Sequence, residues 1–317
     1  MQYFIIGAMP PPRGGVAVYL ERKVALLRQE GHVVEWLNPR KLFKFVFLLL
    51  KVRSLGFNDS IIELHTAHPV AFFLICILGL EKKITFYDHN YSDGFKGKRG
   101  FSKLLLIRFS RRVSTVVVVS NHLIRNYDFL GCKSNFNFVV ETPYIGLSNL
   151  PEMSGRVVEK AAALIESCDV TFINAAWNLV DDKNGKDLYG VKWSVDSFLN
   201  LFSSKLNAGL ILIVGGGTEA KLSELKEACK NYPNILLLEG NHDLCAYLRQ
   251  GNVVLMRTTT TDGDSLSVRE AIELGAAVVA SDAAPRPNGT NVYKLHSRSS
   301  FESALMDEYR KITENAR

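Results

Sequence analysis

Short apolar runs alternate with helix-patterned segments along the whole chain, and this alternation constrains the possible fold more than any other feature. Six runs rich in Val, Ile and Phe lie in the first half and five in the second. They cover residues 3–7, 32–37, 60–65, 83–88, 115–120, 136–141, 170–175, 210–214, 235–239, 252–256 and 276–280. Consecutive apolar positions are typical of strands buried on both faces, as in parallel sheets covered by helices. The sequence therefore predicts an α/β fold with two Rossmann-like, doubly wound domains and a cleft between them.

The division into domains is predicted from the length and from one weak stretch. The chain has 317 residues, about twice the length of a typical domain. Residues 142–155 contain two prolines and no helical or strand periodicity, so we place the linker there. We expect an N-terminal domain over residues 1–146 and a C-terminal domain over residues 147–317, with the final helix packing back on the N-terminal domain.

Composition and the chain start exclude several classes of protein. The chain is 47% hydrophobic and 22% charged, which excludes a disordered protein. Its five cysteines form no CxxC pair, which argues against a zinc site or a disulfide framework. The first residues lack the basic segment of a signal peptide, and the longest apolar runs, 45–50 and 70–80, are too short to span a bilayer. We expect a cytoplasmic protein.

The two halves of the chain differ in charge. Residues 1–146 hold 20 Lys and Arg against 10 Asp and Glu, whereas residues 147–317 hold 18 against 22. Such asymmetry indicates that the basic half faces an anionic partner.

Two clusters contribute most to this basic character. Read as a helix, residues 40–51 place four cations within an arc of about 100°: Arg40, Lys41, Lys44 and Lys51. Residues 96–112 hold seven cations, including Lys103 and Arg111, and no acid. Both suit peripheral binding at the inner face of a cell membrane, where each cation contributes about 1 kcal/mol. The alternative is a packed helix with a solvated stripe; nucleic acid is not expected, since no stacking or helix-turn-helix pattern is present.

A glycine-containing turn follows the first predicted strand. Gly14 and Gly15 lie at the start of the next helix, where backbone N–H groups and the helix dipole favour a phosphate. The turn lacks the GxGxxG spacing of dinucleotide-binding folds. A plain tight turn is the alternative.

The sharpest signal lies at residues 257–271, Arg-Thr-Thr-Thr-Thr-Asp-Gly-Asp-Ser-Leu-Ser-Val-Arg-Glu-Ala. Asp262 falls in the loop and Glu270 in the first turns of the following helix. A loop carboxylate beside the free N–H groups of a helix start could bind sugar hydroxyls and a diphosphate side by side. The alternative is a capping box, in which Ser267 caps the helix and Glu270 bonds back to it.

This stretch resembles the donor-site signature of retaining GT-B glycosyltransferases of family 4, Glu-Gly-x-Gly-Leu-x-x-x-Glu-Ala followed by Gly-x-Pro-Val-Val-Ala-Ser. The variant found here is similar to a branch involved in bacterial surface-polysaccharide synthesis. Other pieces match in the family's order across nearly the whole chain: residues 14–15, 31–34, 117–120, 215–217 and 239–240. The resemblance implies a GT-B fold, and it favours a donor-site role of Glu270 over the capping box.

The resemblance also implies a role for each residue of the motif. Glu270 would hydrogen-bond the donor ribose, and Asp262 would contact the donor sugar near the reacting carbon. The residues that would surround the diphosphate with backbone N–H groups are Gly14, Gly15, Ser265, Leu266 and Ser267, with Gly215 in the matching glycine turn. Positioned N–H groups and cations can stabilise a departing diphosphate without a metal. We therefore expect no metal and no cofactor besides the UDP- or GDP-linked donor substrate.

Two positions depart from the family pattern. The family places an Arg and a Lys in the loop after the first strand of the C-terminal domain, whereas here the Arg position is alanine-like and Tyr189 stands where the Lys would be. The candidates to supply the missing charge are Lys183, Lys186 and Arg257, and the alternative is weakened catalysis. The second departure is Asp262 itself, one methylene shorter than Glu, which suits a different sugar.

Three histidines follow predicted strands. His89 lies where the family often has a histidine near the sugar, and a hydrogen-bonded structural histidine is the alternative reading. His65 and His68 lie at a strand-to-helix junction without a third metal ligand, so we interpret them as structural.

Together these features predict a glycosyltransferase that moves a sugar from a nucleotide-sugar donor to a polyprenyl-diphosphate-linked or other lipid-linked glycan. Its expected place is the synthesis of O-antigen, capsule or exopolysaccharide, and retention rests on the resemblance alone. One alternative is a catalytically silent nucleotide-sugar-binding subunit, which the missing Arg and Lys motivate. Another is a different GT-B enzyme, such as a nucleotide-sugar 2-epimerase.

Overall fold

The structure is a computed structural model that describes residues 1–10, 14–38, 42–54, 60–97, 100–110, 112–130, 137–149, 156–202 and 206–315. The chain divides into two compact units, with the division between Ile145 and Gly146. The predicted boundary, between residues 146 and 147, lies one residue away from this division.

The first unit contains one parallel sheet and four α-helices among its described residues. The elements are β1 (Gln2–Ile6), α1 (Gly15–Gln29), β2 (Val33–Leu37), α2 (Leu42–Ser54), β3 (Ser60–Leu64), α3 (Pro69–Leu78), β4 (Ile84–Asp88), α4 (Gly100–Ser110), β5 (Thr115–Val118) and β6 (Phe138–Val140). The strand order is β2-β1-β3-β4-β5-β6. Short 3-10 segments follow β4 and β5 at Tyr91–Gly97 and Asn121–Leu130.

Both faces of this sheet are covered by apolar side chains, as the continuous apolar runs predict. On one face Phe45 of α2, Phe72 of α3 and Phe109 of α4 pack into a common core. On the other face Tyr19 and Leu20 of α1 pack with Ile5 of β1 and Val34 of β2. The second face is the one on which polar side chains of β3 and β4 meet α1.

The second unit repeats the plan. Its elements are α5 (Glu159–Ser167), β7 (Val170–Ala176), α6 (Val191–Phe202), β8 (Ala208–Val214), α7 (Glu219–Cys229), β9 (Ile235–Glu239), α8 (Leu244–Leu248), β10 (Val253–Arg257), α9 (Leu266–Glu273), β11 (Ala277–Ser281), β12 (Thr290–Tyr293) and α10 (Arg298–Asn315). The strands are parallel in the order β12-β11-β10-β7-β8-β9. The central strands of this sheet are β10 and β7.

The eleven predicted strands all coincide with strands of the structure, so the predicted α/β class is confirmed. Strand β12 was not predicted, because its sequence, Thr-Asn-Val-Tyr, interrupts the apolar run with polar residues. The expectation that the final helix packs back on the N-terminal domain stays a prediction. Helix α10 packs against α6, β11 and β12 within the second unit, because Phe301, Leu305 and Tyr309 complete the core of that sheet.

No helix among the described residues combines the length and the apolar character needed to cross a lipid bilayer.

Candidate functional site

The polar residues predicted from the C-terminal motif meet at one edge of the second sheet. Strands β11, β10 and β7 are neighbours, and because they are parallel their carboxyl ends lie at the same edge. In open α/β sheets this edge is where ligands bind. The loops that leave it are residues 177–190, 258–265 and 282–289.

A buried group of three charged side chains, which we call the Arg-Asp-Arg cluster, lies at this edge. Its members are Arg257 at the end of β10, Asp262 in the following loop and Arg286 in the loop after β11. Arg257 donates to Asp262 from Nε at 3.1 Å and from Nη2 at 3.2 Å. Arg286 Nη1 donates to Asp262 Oδ2 at 2.8 Å. The side chain of Arg286 is 2% exposed and that of Asp262 is 9% exposed.

The carboxylate of Asp262 is fully engaged by these partners. Besides the two guanidinium groups, it accepts from the Thr259 hydroxyl at 3.3 Å and from the Gly263 backbone N–H at 3.2 Å. Its two oxygens offer about four lone-pair sites, so a contact with a sugar hydroxyl would share or displace one of these bonds. Asp262 thus holds two arginines in place, and its predicted contact with a donor sugar stays a prediction.

The charges of the cluster explain why these groups can be buried. Burial alone would raise the pKa of Asp262, but the charges of Arg257 and Arg286 and their hydrogen bonds lower it well below its usual range. The carboxylate is therefore ionised, and the three side chains together carry one net positive charge. Arg257 uses Nε and Nη2 in the cluster, which leaves Nη1 available as a cationic donor among the described residues.

Arg286 was not predicted as a site residue. Its Nε donates to the Ser281 carbonyl at 2.8 Å, and Ser281 Oγ donates to the Thr259 carbonyl at 2.7 Å. Ser281 thereby joins the loop after β11 to the loop after β10. The only signal in the sequence is the position of Arg286 shortly after a predicted strand, since no motif contains it.

Tyr189, which stands where the family has a lysine, packs beside Arg257. The guanidinium carbon of Arg257 lies 5.5 Å from the centre of the Tyr189 ring, a distance typical of cation–π contacts. The Thr258 hydroxyl donates to the Tyr189 carbonyl, and Thr260 N donates to the Leu188 carbonyl at 3.0 Å. The loop after β7 is therefore tied to the loop after β10, and the aromatic ring shapes the surroundings of Arg257.

Gly190 permits this close approach of the two loops. Its φ of 57° is left-handed, and a Cβ placed there would come within 2.9 Å of Thr258 Cβ. Any other residue would be strained and would push the loops apart.

The start of α9 differs from the predicted capping box. The N-cap position is Ser265, and its side chain makes no capping hydrogen bond. Ser267 lies inside the helix, so the capping box between Ser267 and Glu270 is not formed. Glu270 is buried on the same face of the helix as Leu266, one turn earlier. The first N–H groups of α9 lack intrahelical acceptors and so remain suited to an anion.

The other predicted donor residues lie in different settings. Lys183 and Lys186 are exposed in the loop after β7. Gly215 follows β8, and a Cβ there would collide with the Trp177 carbonyl, so this glycine allows the loop after β7 to pack. Gly14 directly precedes α1 and Gly15 is its first residue.

His89 belongs to a second polar cluster, in the first unit, with three other side chains that were not predicted as site residues. His65 Nδ1 lies 2.9 Å from His89 Nε2, and His65 Nε2 lies 3.1 Å from Glu63 Oε2. Lys23 Nζ lies 2.7 Å from the same Glu63 oxygen. We call these four residues the histidine cluster. His68, by contrast, is exposed at the start of α3.

The predicted cationic positions are only partly described. Lys44 and Lys103 are exposed. Lys51 Nζ pairs with Glu35 Oε1 at 2.6 Å, so part of its charge is neutralised. Arg40, Lys41 and Arg111 lie outside the described residues. No group of three or more His, Cys, Asp or Glu in the described chain is arranged to hold a metal ion.

Comparisons with known proteins identify the fold. No protein-family profile matches the chain, and no curated protein sequence matches it. Solved structures do match, over nearly all of both chains.

HepE from Anabaena, in complex with UDP and glucose, aligns with a TM-score of 0.67 and 14% identity over 100% of this chain and 93% of HepE. Sucrose-phosphate synthase from Thermosynechococcus elongatus aligns with a TM-score of 0.71 and 12% identity over 99% of this chain and 94% of the synthase. The UDP-forming α,α-trehalose-phosphate synthase from Burkholderia vietnamiensis aligns with a TM-score of 0.65 and 13% identity over 99% of this chain and 93% of the synthase. The chain therefore has the GT-B fold, with two Rossmann-like domains.

Proposed function

We propose that this protein is a glycosyltransferase that transfers a sugar from a nucleotide-sugar donor to a lipid-linked glycan. The observation that carries the proposal is the Arg-Asp-Arg cluster, which places buried cationic side chains at the carboxyl edge of the second sheet, beside the start of α9. A nucleotide diphosphate is the kind of ligand that such a site attracts. The GT-B fold and the resemblance to family 4 support the same assignment.

The proposed donor is UDP-linked or GDP-linked, and UDP is the first to test. HepE structures contain UDP, UDP with glucose, or UDP-glucose. At 13–14% identity these structures support the fold, and the choice of base for this chain is our proposal.

The chemistry we assign to the site is stabilisation of the departing diphosphate. When the bond between the sugar carbon and the diphosphate oxygen breaks, the electron pair stays on that oxygen. Arg257 Nη1 and the N–H groups at the start of α9 would stabilise the charge, without a metal ion. Glu270 would hold the ribose. Arg257 thus replaces the family's Arg and Lys in our proposal, and retention of anomeric configuration is carried over from the resemblance.

An exposed apolar surface on the first unit supports a lipid-linked acceptor. Helix α3 packs against both α2 and α4, and Phe73 meets Phe101 edge to face at 5.9 Å. Phe43 and Phe47 on α2 are 92% and 72% exposed. The other exposed apolar side chains on these helices are Leu50, Val70, Phe73, Ile77, Phe101 and Leu104. We call this set the apolar surface.

The charges around the apolar surface suit an anionic membrane. Lys44 lies on α2 between the exposed phenylalanines, and Lys103 lies on α4 beside Leu104. Exposed aromatic side chains next to lysines are typical of proteins that bind at a lipid interface. We therefore propose that the protein binds peripherally at the inner face of the cell membrane and acts in surface-polysaccharide synthesis there.

The test is a transfer assay. Purified protein is incubated with radiolabelled UDP- and GDP-sugars and with membranes that contain lipid-linked glycans, and label is measured in the organic phase. We expect transfer that persists in EDTA, with the anomeric configuration of the donor retained in the product by NMR. Tight nucleotide-sugar binding without any transfer or hydrolysis would instead support the catalytically silent subunit. Formation of an epimerised sugar would support the 2-epimerase.

A further inference from the structure

The histidine cluster forms because side chains two positions apart along a strand lie on the same face of the sheet. Glu63 lies on β3 and His65 two positions later, so both side chains leave the same face of the sheet. Strand β4 runs parallel beside β3 and places Tyr87 and His89 on that face in the same way. Helix α1 covers this face and contributes Lys23, whose ammonium group reaches Glu63.

Lys23 keeps Glu63 ionised. Its Nζ lies 2.8 Å from one carboxylate oxygen and 2.7 Å from the other. Burial would raise the pKa of Glu63, but the hydrogen bond from His65 and the charge of Lys23 lower it instead. An ionised carboxylate can only accept hydrogen bonds. The proton between Glu63 and His65 must therefore reside on His65 Nε2.

Both imidazoles are neutral at neutral pH. Burial lowers the pKa of His65, against the opposing effect of Glu63. Burial lowers the pKa of His89 well below its usual value; repulsion from His65, whenever that imidazole is protonated, and from Lys23 lowers it further. A neutral imidazole has one N–H and one bare nitrogen.

The position of the proton on His65 then determines the position of the proton on His89. With its proton on Nε2, His65 presents a bare Nδ1 to His89 at 2.9 Å. A hydrogen bond at this distance requires the proton to be on His89 Nε2. The remaining nitrogen of His89, Nδ1, is then bare, and no described residue donates a hydrogen bond to it.

We propose that Glu63 and His65 act as positioning residues that hold His89 in the tautomer protonated at Nε2, so that His89 Nδ1 accepts a hydrogen bond from a hydroxyl group of the sugar substrate. The identity of this ligand rests on the proposed function, whereas the tautomer does not. A bare nitrogen repels phosphate oxygens, so His89 recognises a hydroxyl and not the diphosphate.

The backbone around His89 is held in place. Asn90, the next residue, has a φ of 98°, which is rare outside glycine. Asp88 accepts from Asn90 N at 3.0 Å and from Ser92 N at 3.2 Å, and Tyr127 donates to its other oxygen at 2.9 Å. A buried and multiply bonded Asp88 thus stabilises the unusual turn that sets the direction of His89. Strain of this kind is common where a side chain must be positioned for function.

The tautomer is measured directly by long-range ¹H–¹⁵N correlation spectra of protein labelled at its seven histidines. Resonances are assigned with His65→Asn and His89→Asn. We expect His65 and His89 both to be neutral at pH 7 and protonated at Nε2. A proton on His89 Nδ1, or a charged His89 at pH 7, would overturn the proposal.

Two substitutions of His65 separate positioning from packing. Asparagine can present its side-chain oxygen to His89 much as Nδ1 does, whereas leucine cannot. His65→Asn is expected to keep the His89 tautomer, and His65→Leu to give a mixture of both tautomers. The matched control is Tyr91→Phe, which removes a neighbouring hydrogen bond to the His65 carbonyl but leaves the imidazole contacts intact. An unchanged His89 tautomer in a folded His65→Leu variant would contradict the positioning role.

A kinetic experiment distinguishes failure of this inference from failure of the proposed function. If transfer is observed, His65→Leu should lower kcat by up to about tenfold, the effect of losing one hydrogen bond to the sugar, while His65→Asn retains most of the activity. Equal kcat values in the two variants would contradict the role in the reaction. If no transfer is observed for the wild type, the proposed function fails, and the tautomer spectra still decide the inference.

Discussion

Arg286 Nη1 lies 2.8 Å from Asp262 Oδ2, and the two residues belong to loops that follow different strands, β11 and β10. The same carboxylate oxygen accepts from Arg257 Nε at 3.1 Å. A single acidic side chain therefore joins two strand ends and orients two cations. This arrangement leaves one net positive charge at the edge of the second sheet.

The first prediction concerns the stability of this cluster. Asp262→Asn removes the charge that compensates Arg257 and Arg286, and breaking a buried ion pair costs about 3–5 kcal/mol. We expect the free energy of unfolding, measured with urea, to fall by that amount. The matched control is Glu224→Gln, which breaks the exposed pair between Lys192 and Glu224 and should leave stability unchanged. Equal effects of the two substitutions would mean that Asp262 does not compensate the arginines.

The second prediction concerns Glu270 and the donor ribose. Glu270→Gln should weaken nucleoside diphosphate binding by about 10- to 100-fold, because a hydrogen bond to a charged group contributes about 1.5–3 kcal/mol. Isothermal titration calorimetry measures the change. Glu273→Gln, at an exposed position on the same helix, is the control and should bind like the wild type. Unchanged affinity in Glu270→Gln would remove Glu270 from the binding site.

The third prediction concerns the membrane. A variant with Phe43→Ser and Phe47→Ser should bind anionic vesicles at least about tenfold more weakly, because each phenylalanine contributes up to about 3 kcal/mol on burial. Co-sedimentation with phosphatidylglycerol vesicles measures the loss. Tyr232→Ser removes an exposed aromatic of the second unit and should leave binding unchanged. Equal sedimentation of all three proteins would contradict the role of the apolar surface.

The fourth prediction concerns pH. Burial lowers the pKa of His65 and of His89, so below about pH 6.5 the unfolded chain binds protons that the folded protein does not. Stability should therefore fall as the pH drops from 6.5 to 5.5, by up to about 1.4 kcal/mol for each histidine. The lowered pKa of Glu63 adds a further loss at lower pH, below about 4.5.

Urea unfolding at pH 7.5 and at pH 5.5 measures this dependence. The double variant His65→Asn, His89→Asn should lose much less stability between these two pH values than the wild type. His68→Gln, at an exposed histidine, should behave like the wild type. A pH dependence that is unchanged in the double variant would show that the two histidines do not cause it.

The sequence predicts the fold well because buried parallel strands leave a strong and continuous apolar signal. Runs such as residues 210–214 are apolar at every position, and they are strands in the structure. Strand β12 escapes prediction because its first two residues are polar and its last two are apolar. It therefore shows neither a continuous apolar run nor a strict alternation of polar and apolar residues.

The site is harder to predict because its partners are distant in the sequence. Arg257 and Asp262 lie five residues apart in one motif, but Arg286 joins them from the next loop, where nothing marks it. His65 was grouped with His68 by spacing along the chain, whereas its partners are Glu63, two residues earlier, and His89, which directly follows the next strand of the sheet. Pairing across strands, and not spacing along the chain, decides these contacts.

The measurement that tests the account most directly is calorimetric titration with UDP, GDP, ADP, CMP and their common sugar conjugates. We predict that one nucleoside diphosphate binds and that Arg257→Met weakens its binding by about 10- to 100-fold, as expected for a lost charge-assisted hydrogen bond. Arg257→Lys, which keeps the charge, should lie between this variant and the wild type. Failure of every nucleotide to bind, or equal affinity of Arg257→Met and the wild type, would contradict the proposed donor site.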